Sequence, residues 1–392
     1  MNKISKIFWS IVVIIVGVLV IYWLVTPKQT NGPAPTSDLP RGTLKIGAVI
    51  PLTGDGAAYG LPIQRAASLA VNEINLAGGV KGQPMEIVWE DGKCDAKEAT
   101  SAARKLVAVD GVKIILGGVC SSETLAMAPV TESEKVIVFS PSSTSPDITT
   151  AGDFVFRTAP SDAFAGRVAA EYAVKKFSAK KAAIISETKD YTQGLRRVFK
   201  EVFTSLGGEI VADEVYNTGD TNFRSQLIKI KAANPDVLYL LPQSPAPGGL
   251  LLKQLKDLGV KTKLLTAEVL IGRDVVKDQG KNMEGLVGIE QYFDENSERA
   301  QKFLKTYKET YSEAPSFPAF MANMYSQVYL VKESLEQFGQ DTEKIRDYFL
   351  GLKGWEGALG KLTFDANGDP LSAYAVKKVE KGNLIDVEVY NP

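Results

Sequence analysis

The chain of 392 residues contains no histidine and only two cysteines. Histidine is the commonest general base in enzymes, so its absence excludes Ser-His-Asp and Cys-His catalytic groups and most zinc sites. Two cysteines are too few for a cysteine-rich metal centre. Lysine and arginine total 45 against 46 aspartates and glutamates, so no excess of positive charge predicts nucleic acid as a partner.

Nucleotide-binding motifs are also missing from the sequence. Residues 51–56, which follow the first predicted strand, read Pro-Leu-Thr-Gly-Asp-Gly rather than G-x-G-x-x-G, and there is no P-loop. The carboxylates of Glu187 and Asp190 are close in sequence, but no pattern places them in a catalytic pair. We therefore expect a binding protein without a cofactor rather than an enzyme. A purely structural ectodomain is a further alternative.

The N-terminus has the features of a membrane anchor. Lys3 and Lys6 precede an apolar run over residues 7–25 that only Ser10 and Gly17 interrupt. As a helix this run is roughly 28 Å long, close to the hydrocarbon thickness of a bilayer. The positive charges predict that the N-terminus stays in the cytoplasm. No small-x-small cleavage site follows and no nearby cysteine is available for lipidation, which favours an uncleaved anchor at residues 1–25 over a cleaved signal peptide.

Residues 26–42 form a proline-rich linker between this run and the folded part, which begins near Thr43. The anchor predicts that the folded part lies outside the cytoplasm. In the cytosol Cys94 and Cys120 would be two unrelated core thiols, but an oxidising compartment favours a disulfide between them. In the chain-entropy model such a bridge stabilises the fold by roughly 3.5 kcal/mol.

Short β-branched runs alternate with helical segments through the folded part. Several runs are almost wholly apolar, as expected for strands buried on both faces of a parallel sheet. This alternation predicts an α/β fold with doubly wound sheets, and the length allows two of them. The predicted strands are 44–51, 85–90, 113–116, 136–139, 182–186, 237–241 and 264–266. The predicted helices are 59–76, 96–109, 163–177, 192–206 and 223–233.

Open parallel sheets bind ligands beyond the carboxyl ends of their strands, so the loops there are candidate sites. Ser121 follows one strand at the start of a predicted helix, where unpaired backbone N–H groups attract an anion. The alternative is that Ser121 or Ser122 only caps the helix. Residues 140–146 follow the next strand and offer the Thr144 hydroxyl in a serine-rich turn, for which a solvated turn is the alternative. The two hydroxyl clusters together would surround a carboxylate.

Further candidates are one carboxylate and three tyrosines. Glu268 follows the strand at 264–266, where an ammonium group could bind, although an isolated glutamate is more often a surface charge. Tyr59 begins the first helix, and Tyr191 follows the strand at 182–186. Tyr325 lies in an apolar helix, and core packing is the alternative for it.

Several short segments carry a family resemblance. They read KIGAVIPLTG at 45–54, NEIN at 72–75, GGVKG at 78–82, DGKCD at 91–95, CSS at 120–122, SPSSTSP at 140–146, DY at 190–191 and AE at 267–268. In this order they resemble the branched-chain amino-acid binding proteins of bacterial transport systems, which are type I periplasmic binding proteins. The resemblance covers about residues 43–390.

The resemblance implies a role for each candidate residue. Ser121 would donate a hydrogen bond to the ligand carboxylate, helped by the backbone from Ser142 through Ser143 to Thr144. The Thr144 hydroxyl and the Ser142 carbonyl would meet the α-ammonium group, and Glu268 would pair with its charge. The walls of the cleft would be Tyr59, Tyr191 and Tyr325.

The resemblance also implies a domain organisation. An N-terminal lobe at 43–158 and 291–362 and a C-terminal lobe at 159–290 and 363–392 would be joined by three hinge crossings, with a Cys94–Cys120 disulfide. One segment departs from the family pattern. Residues 241–249 replace a loop that carries a cleft aromatic in well-studied members, and Gln243 or Ser244 occupies that position. A polar residue there leaves the identity of the ligand open.

The function implied by the resemblance is capture of a small amino acid of the branched-chain type by closure of the two lobes. The ligand would pass to the permease subunits of an ABC transporter, and a monomer anchored in the membrane would raise the local concentration near that permease. The alternative is a sensor ectodomain of the same fold, whose closure is detected by a signalling partner.

Overall fold

The structure, a computed structural model, describes residues 42–392. The predicted anchor at residues 1–25 and the linker as far as residue 41 lie outside the described residues. Within residues 42–392, no helix is both long enough and apolar enough to cross a membrane.

The first part of the described chain forms a five-stranded parallel sheet. Its strands are β1 (Leu44–Ile50), β2 (Met85–Asp91), β3 (Ile114–Gly117), β4 (Ile137–Ser140) and β5 (Val155–Arg157). The order across the sheet is β2-β1-β3-β4-β5. The helices between these strands are α1 (Ala57–Leu76), α2 (Ala96–Ala108) and α3 (Ser121–Ser133).

Alternating side chains bury both faces of this sheet. Ile137 and Phe139 of β4 belong to the core shared with α1, whereas Val138 belongs to a second core shared with α2 and α3. Successive side chains of a strand point to opposite faces, so two covered faces require a strand without polar residues. This requirement explains why the apolar runs of the sequence identify these strands.

A second sheet begins with five more parallel strands. They are β6 (Lys181–Glu187), β7 (Glu209–Tyr216), β8 (Val237–Leu241), β9 (Lys263–Ala267) and β10 (Val287–Gln291). The helices associated with them are α4 (Asp162–Lys175), α5 (Asp190–Ser205), α6 (Arg224–Ala233), α7 (Pro245–Asp257) and α8 (Arg273–Gln279). A short 3-10 helix, Glu268–Leu270, directly follows β9.

The chain next returns to the first sheet. It forms α9 (Glu298–Tyr311), α10 (Pro318–Phe338) and α11 (Thr342–Leu350), then a small hairpin of β11 (Trp355–Gly357) and β12 (Gly360–Leu362). Helix α10 packs on α1, and the ring centroid of Phe349 in α11 lies 5.2 Å from that of Phe139 in β4. These elements therefore complete the cover of the first sheet.

An antiparallel hairpin completes the second sheet. It consists of β13 (Tyr374–Glu380) and β14 (Asn383–Tyr390), and β13 pairs with β10. The full order is β14-β13-β10-β9-β8-β6-β7. The chain thus passes between the sheets three times, after β5, after β10 and before β13.

The predicted α/β class with two doubly wound sheets is confirmed, and each predicted strand corresponds to an observed one. The prediction missed β5, β7, β10 and both hairpins. The prediction missed β7 because this strand lies at a sheet edge. Exposure to solvent there allows the charged residues Glu209, Asp213 and Glu214, which interrupt the apolar pattern.

Candidate functional site

One cavity of about 360 Å³ lies at the carboxyl ends of strands from both sheets. It is lined by Tyr59, Val119, Cys120, Ser121, Ser142, Tyr191, Gln243, Glu268, Val269, Phe317 and Phe320. Five of the eight predicted ligand-binding residues are in this lining, and they come from α1, from the loops after β3 and β4, and from segments after β6 and β9.

The loop after β3, residues 118–122, is held by a buried carboxylate. Glu123 accepts hydrogen bonds from the backbone N–H groups of Cys94 (2.9 Å), Val119 (2.9 Å) and Cys120 (3.0 Å). Burial raises the pKa of Glu123 to about 7, although these three donors oppose the rise. Cys94 and Cys120 form the expected disulfide. The loop is therefore fixed both by a covalent bond and by a carboxylate.

Ser121 keeps its hydroxyl proton available for a ligand. Its Oγ accepts a hydrogen bond from the Ser145 N–H at 3.1 Å, and no acceptor for its own proton is present among residues 42–392. Ser121 is also the first residue of α3, whose N-terminal end favours negative charge. A carboxylate at this end of the cavity would meet a free O–H donor and a helix N-terminus.

The loop after β4, residues 140–146, is tied to the loop after β3 by its own hydroxyl groups. Ser140 and Ser143 donate to the Gly118 carbonyl at 2.7 and 2.8 Å, and Ser142 donates to the Val119 carbonyl at 2.9 Å. Ser142 lines the cavity, and its carbonyl has no partner among residues 42–392. Ser143 does not line the cavity. Its hydroxyl joins the two loops, which differs from the predicted ligand contact.

Thr144 differs from the serines beside it. Its carbonyl accepts a hydrogen bond from the Asp162 N–H at 2.7 Å, and its buried hydroxyl, which lies near the Asp162 carboxylate, makes no hydrogen bond of normal length. Thr144 itself is not among the residues that line the cavity. A buried hydroxyl without a partner is rare in a native fold and indicates a group that completes its bonding with a ligand.

Two buried carboxylates, Asp162 and Glu268, lie near Thr144, and neither forms an ion pair among residues 42–392. Asp162 has no exposed surface and neither of its carboxyl oxygens has a hydrogen-bond partner, and one oxygen of Glu268 is also unpaired. Burial and the charge of Glu268 raise the pKa of Asp162 well above its usual range, although the charge of Arg157, which pairs with Asp369, acts to lower it. Burial likewise raises the pKa of Glu268 to about 7, and the charge of Glu290 contributes, while the nearby Tyr191 hydroxyl opposes the rise. The arrangement is complementary to one bound cation.

Asp162 was not predicted from the sequence. It is the first residue of α4, directly after the N-cap Ser161, whose Oγ accepts from the Ala163 N–H. Acidic residues are common in the first turn of a helix because the positive end of the helix dipole stabilises their negative charge. Its position alone therefore gave no sign of a ligand site, and only its burial beside Glu268 distinguishes it.

Tyr59 and Gln243 meet across the cavity wall. The Tyr59 hydroxyl donates to the Gln243 carbonyl at 3.1 Å and accepts from Gln243 Nε2 at 3.3 Å. Gln243 lines the cavity and Ser244 does not. Tyr191 also lines the cavity, and its buried hydroxyl has no hydrogen-bond partner.

The structure places Tyr325 elsewhere, and we withdraw it from the site. Its hydroxyl donates to Glu73 of α1, and its ring packs on Phe303 with centroids 4.8 Å apart. Packing between helices, the alternative stated for it, accounts for Tyr325. Phe317 and Phe320, which the sequence reasoning missed, supply the aromatic wall from the start of α10, and Phe317 meets the Tyr59 ring edge-on at 6.2 Å.

Arg157 supports the site from behind. It is fully buried at the end of β5 and makes two hydrogen bonds to the Asp369 carboxylate, at 2.5 and 2.7 Å. It also donates to the Ser145 carbonyl at 2.8 Å and to the Thr149 hydroxyl at 2.8 Å. Arg157 therefore links the loop at 140–146 to a segment just before β13.

Comparison with known proteins identifies similar chains. Residues 43–383 match the family model described as periplasmic binding protein. The leucine-, isoleucine-, valine-, threonine- and alanine-binding protein of Pseudomonas aeruginosa is 32% identical over 330 residues, which cover 83% of this chain and 87% of the relative.

Solved structures are similar over most of the chain. The leucine binding protein of Thermotoga maritima is 29% identical with a TM-score of 0.81, and the match covers 89% of this chain and 99% of the other. A branched-chain amino acid transporter substrate binding protein of Streptococcus pneumoniae, in complex with isoleucine, is 30% identical with a TM-score of 0.81 and coverages of 89% and 100%.

Proposed function

The chain belongs to the periplasmic binding protein family, and on that premise we propose that it captures a small α-amino acid and delivers it to an ABC permease. The family is one of extracytoplasmic solute-binding proteins rather than of enzymes. The observation that carries the proposal is the pair of buried carboxylates, Asp162 and Glu268, of which Glu268 lines the same cavity as Ser121 with its available hydroxyl proton. An α-amino acid has one cation and one anion, which match these two ends.

The ammonium group binds between the carboxylates. Glu268 and Asp162 supply negative charge, and the Thr144 hydroxyl supplies an acceptor that makes no hydrogen bond of normal length. The Ser142 carbonyl supplies a second acceptor in the cavity wall. Charge-assisted hydrogen bonds of this kind each contribute roughly 1.5–3 kcal/mol. The carboxylate group of the ligand binds Ser121 at the N-terminus of α3.

The side chain of the ligand occupies the apolar part of the cavity. Val119, Val269, Phe317 and Phe320 form its walls, together with the ring of Tyr59. The relatives named for binding leucine, isoleucine and valine support a ligand of this size. We propose the branched-chain size class on that basis.

Binding closes two lobes, with hinge crossings near residues 158, 290 and 362. The distribution of strands supports this division, because β1–β5 lie in one sheet and β6–β10 with the last hairpin lie in the other. The ligand docks on the loops after β3 and β4, and Glu268 and Tyr191 then reach it from the second lobe. Closure is favoured by contacts that exist only in the closed form.

Delivery to ABC permease subunits is favoured over signalling. The relatives are named as amino-acid binding proteins and as a transporter component. We further propose that the protein has no catalytic activity, that it acts as a monomer, and that residues 1–25 anchor it to the membrane with the binding domain outside.

The test is calorimetry of the purified protein with leucine and with two analogues that each lack one end. Leucinamide removes the negative charge, and 4-methylpentanoate removes the ammonium group. We expect leucine to bind and each analogue to bind at least about a hundredfold more weakly, because each leaves a buried group unpaired. Equal affinity for 4-methylpentanoate would contradict the role of Asp162 and Glu268. Failure of every amino acid would contradict the proposed function.

A further inference from the structure

Gln243 differs in chemistry from the rest of the side-chain wall. The groups around it are the alkyl side chains of Val119 and Val269 and the rings of Phe317 and Phe320. The remaining polar lining groups already have a role at the amino-acid end. We infer that Gln243 makes the protein prefer an amino acid whose side chain donates a hydrogen bond over an apolar side chain of the same shape. This inference rests on the proposed function.

The backbone of Gln243 is fixed on both sides. Its N–H donates to Glu187 Oε2 at 3.1 Å, and its carbonyl accepts from the Tyr59 hydroxyl at 3.1 Å. Glu187 is itself buried, and its Oε1 accepts from the Thr218 hydroxyl at 2.6 Å. The side chain of Gln243 is therefore presented from a rigid position and is only 8% exposed.

The hydrogen bonds of Tyr59 decide which way the Gln243 amide faces. A phenol has one proton, and that of Tyr59 goes to the Gln243 carbonyl, so its oxygen is left as an acceptor. Gln243 must then present Nε2 to Tyr59, which agrees with the 3.3 Å contact. This assignment leaves Gln243 Oε1 without a protein donor among residues 42–392.

An acceptor without a partner discriminates between ligands in a closed cavity. An alkyl side chain excludes water from Gln243 Oε1 and gives no hydrogen bond in return, whereas a hydroxyl or amide side chain supplies the missing donor. Threonine and valine have nearly the same shape, as do asparagine and leucine. We expect the polar member of each pair to bind roughly tenfold to a hundredfold more tightly.

Calorimetry with these four amino acids tests the inference. In the protein as it occurs, threonine should bind more tightly than valine, and asparagine more tightly than leucine. Gln243→Leu keeps the size of the side chain and removes the acceptor, so both preferences should disappear or reverse. Ser244→Ala is the matched control, because Ser244 is adjacent but does not line the cavity. It should retain both preferences.

The outcomes separate this inference from the proposed function. If valine and leucine bind at least as tightly as threonine and asparagine, the inference is wrong and amino-acid capture stands. If none of the four binds, the proposed function fails. Gln243→Met serves the same purpose if Gln243→Leu does not fold. A folded variant of Gln243 that keeps the preference for threonine over valine would also overturn the inference.

Discussion

The two sides of the cavity differ in how completely their polar groups are bonded. On the side of the first sheet, the hydroxyls of Ser140, Ser142 and Ser143 all donate to backbone carbonyls of the neighbouring loop. On the side of the second sheet, Glu268 and Tyr191 are buried with polar atoms that have no partner. Folding completes the hydrogen bonds of these three serine hydroxyls and leaves the Thr144 hydroxyl as an exception on the first side, whereas the carboxylate and phenol of the second side are left for a ligand to complete.

This difference separates groups that stabilise the fold from groups that bind. A satisfied buried network stabilises the native state, while an unpaired buried charge destabilises it. Substitutions on the first side should therefore lower stability. Substitutions of the unpaired groups should lower affinity and leave the ligand-free protein at least as stable.

The largest loss of stability is expected for Arg157→Met. The substitution leaves the Asp369 carboxylate without its buried cation and removes one of the two donors to the Ser145 carbonyl. Breaking a buried ion pair by removing one partner costs about 3–5 kcal/mol. Urea unfolding of the ligand-free protein measures the change.

Arg197→Met is the matched control for Arg157→Met. Arg197 pairs at 2.6 Å with Asp147, which lies with Thr149 in the short 3-10 helix Pro146–Thr150, but both side chains are about half exposed to solvent, at 47% and 52%. An exposed pair of this kind is worth less than about 1 kcal/mol. Equal losses for the two arginine variants would contradict the view that Arg157 supports the loop at 140–146.

Loss of the disulfide should be the next largest effect. The bridge between Cys94 and Cys120 closes a loop with a sequence separation of 26, so its removal should destabilise the fold by roughly 3.5 kcal/mol in the chain-entropy model. The double variant Cys94→Ser with Cys120→Ser is compared with the unmodified protein by urea unfolding. Reduction of the unmodified protein should reproduce the loss, and an unchanged stability would contradict it.

The contrast between the two sides also explains what the sequence could predict. Apolar runs located β1–β4, β6, β8 and β9, and the rule that parallel sheets bind ligands at strand ends located Ser121 and Glu268. The same reasoning could not find Phe317, because it precedes α10 and reaches the cavity only through tertiary packing. Tyr325 lies on the same helix, and its sequence position did not reveal that it faces Glu73 rather than the cavity.

Glu268→Ala should lower affinity without lowering stability. Removal of one carboxylate deprives the ammonium group of a charge-assisted partner, and we expect amino-acid binding to weaken by about tenfold to a hundredfold. The ligand-free variant should be as stable as the unmodified protein or more stable, because a buried unpaired charge is lost. Calorimetry and urea unfolding on the same preparations give both quantities. If Glu268→Ala destabilised the protein as much as Arg157→Met does, the two sides of the cavity would not differ in the way proposed.

The smallest effect, for a change of one pH unit, is a dependence of stability on pH that should come from the unpaired side. Burial raises the pKa of Glu268 from 4.5 to about 7, so the folded protein holds a proton that the unfolded chain releases. The stability of the ligand-free protein should accordingly be unaffected by this group below pH 4.5 and fall as the pH rises from 4.5 to about 7, by at most about 1.4 kcal/mol per pH unit.

Affinity should change in the opposite direction, because the ammonium group requires an ionised carboxylate. Binding should tighten by at most about tenfold per pH unit over the same window. Glu123 and Asp162 also have raised pKa values and add to the stability slope in the same direction. Glu268→Gln keeps the shape of the side chain and cannot titrate. The stability of this variant should therefore fall less steeply with pH, by the contribution of one proton. If stability falls equally steeply with pH in the variant and the unmodified protein, Glu268 is ionised over the whole range. It would then have a bonding partner, which contradicts its assignment to the unpaired side.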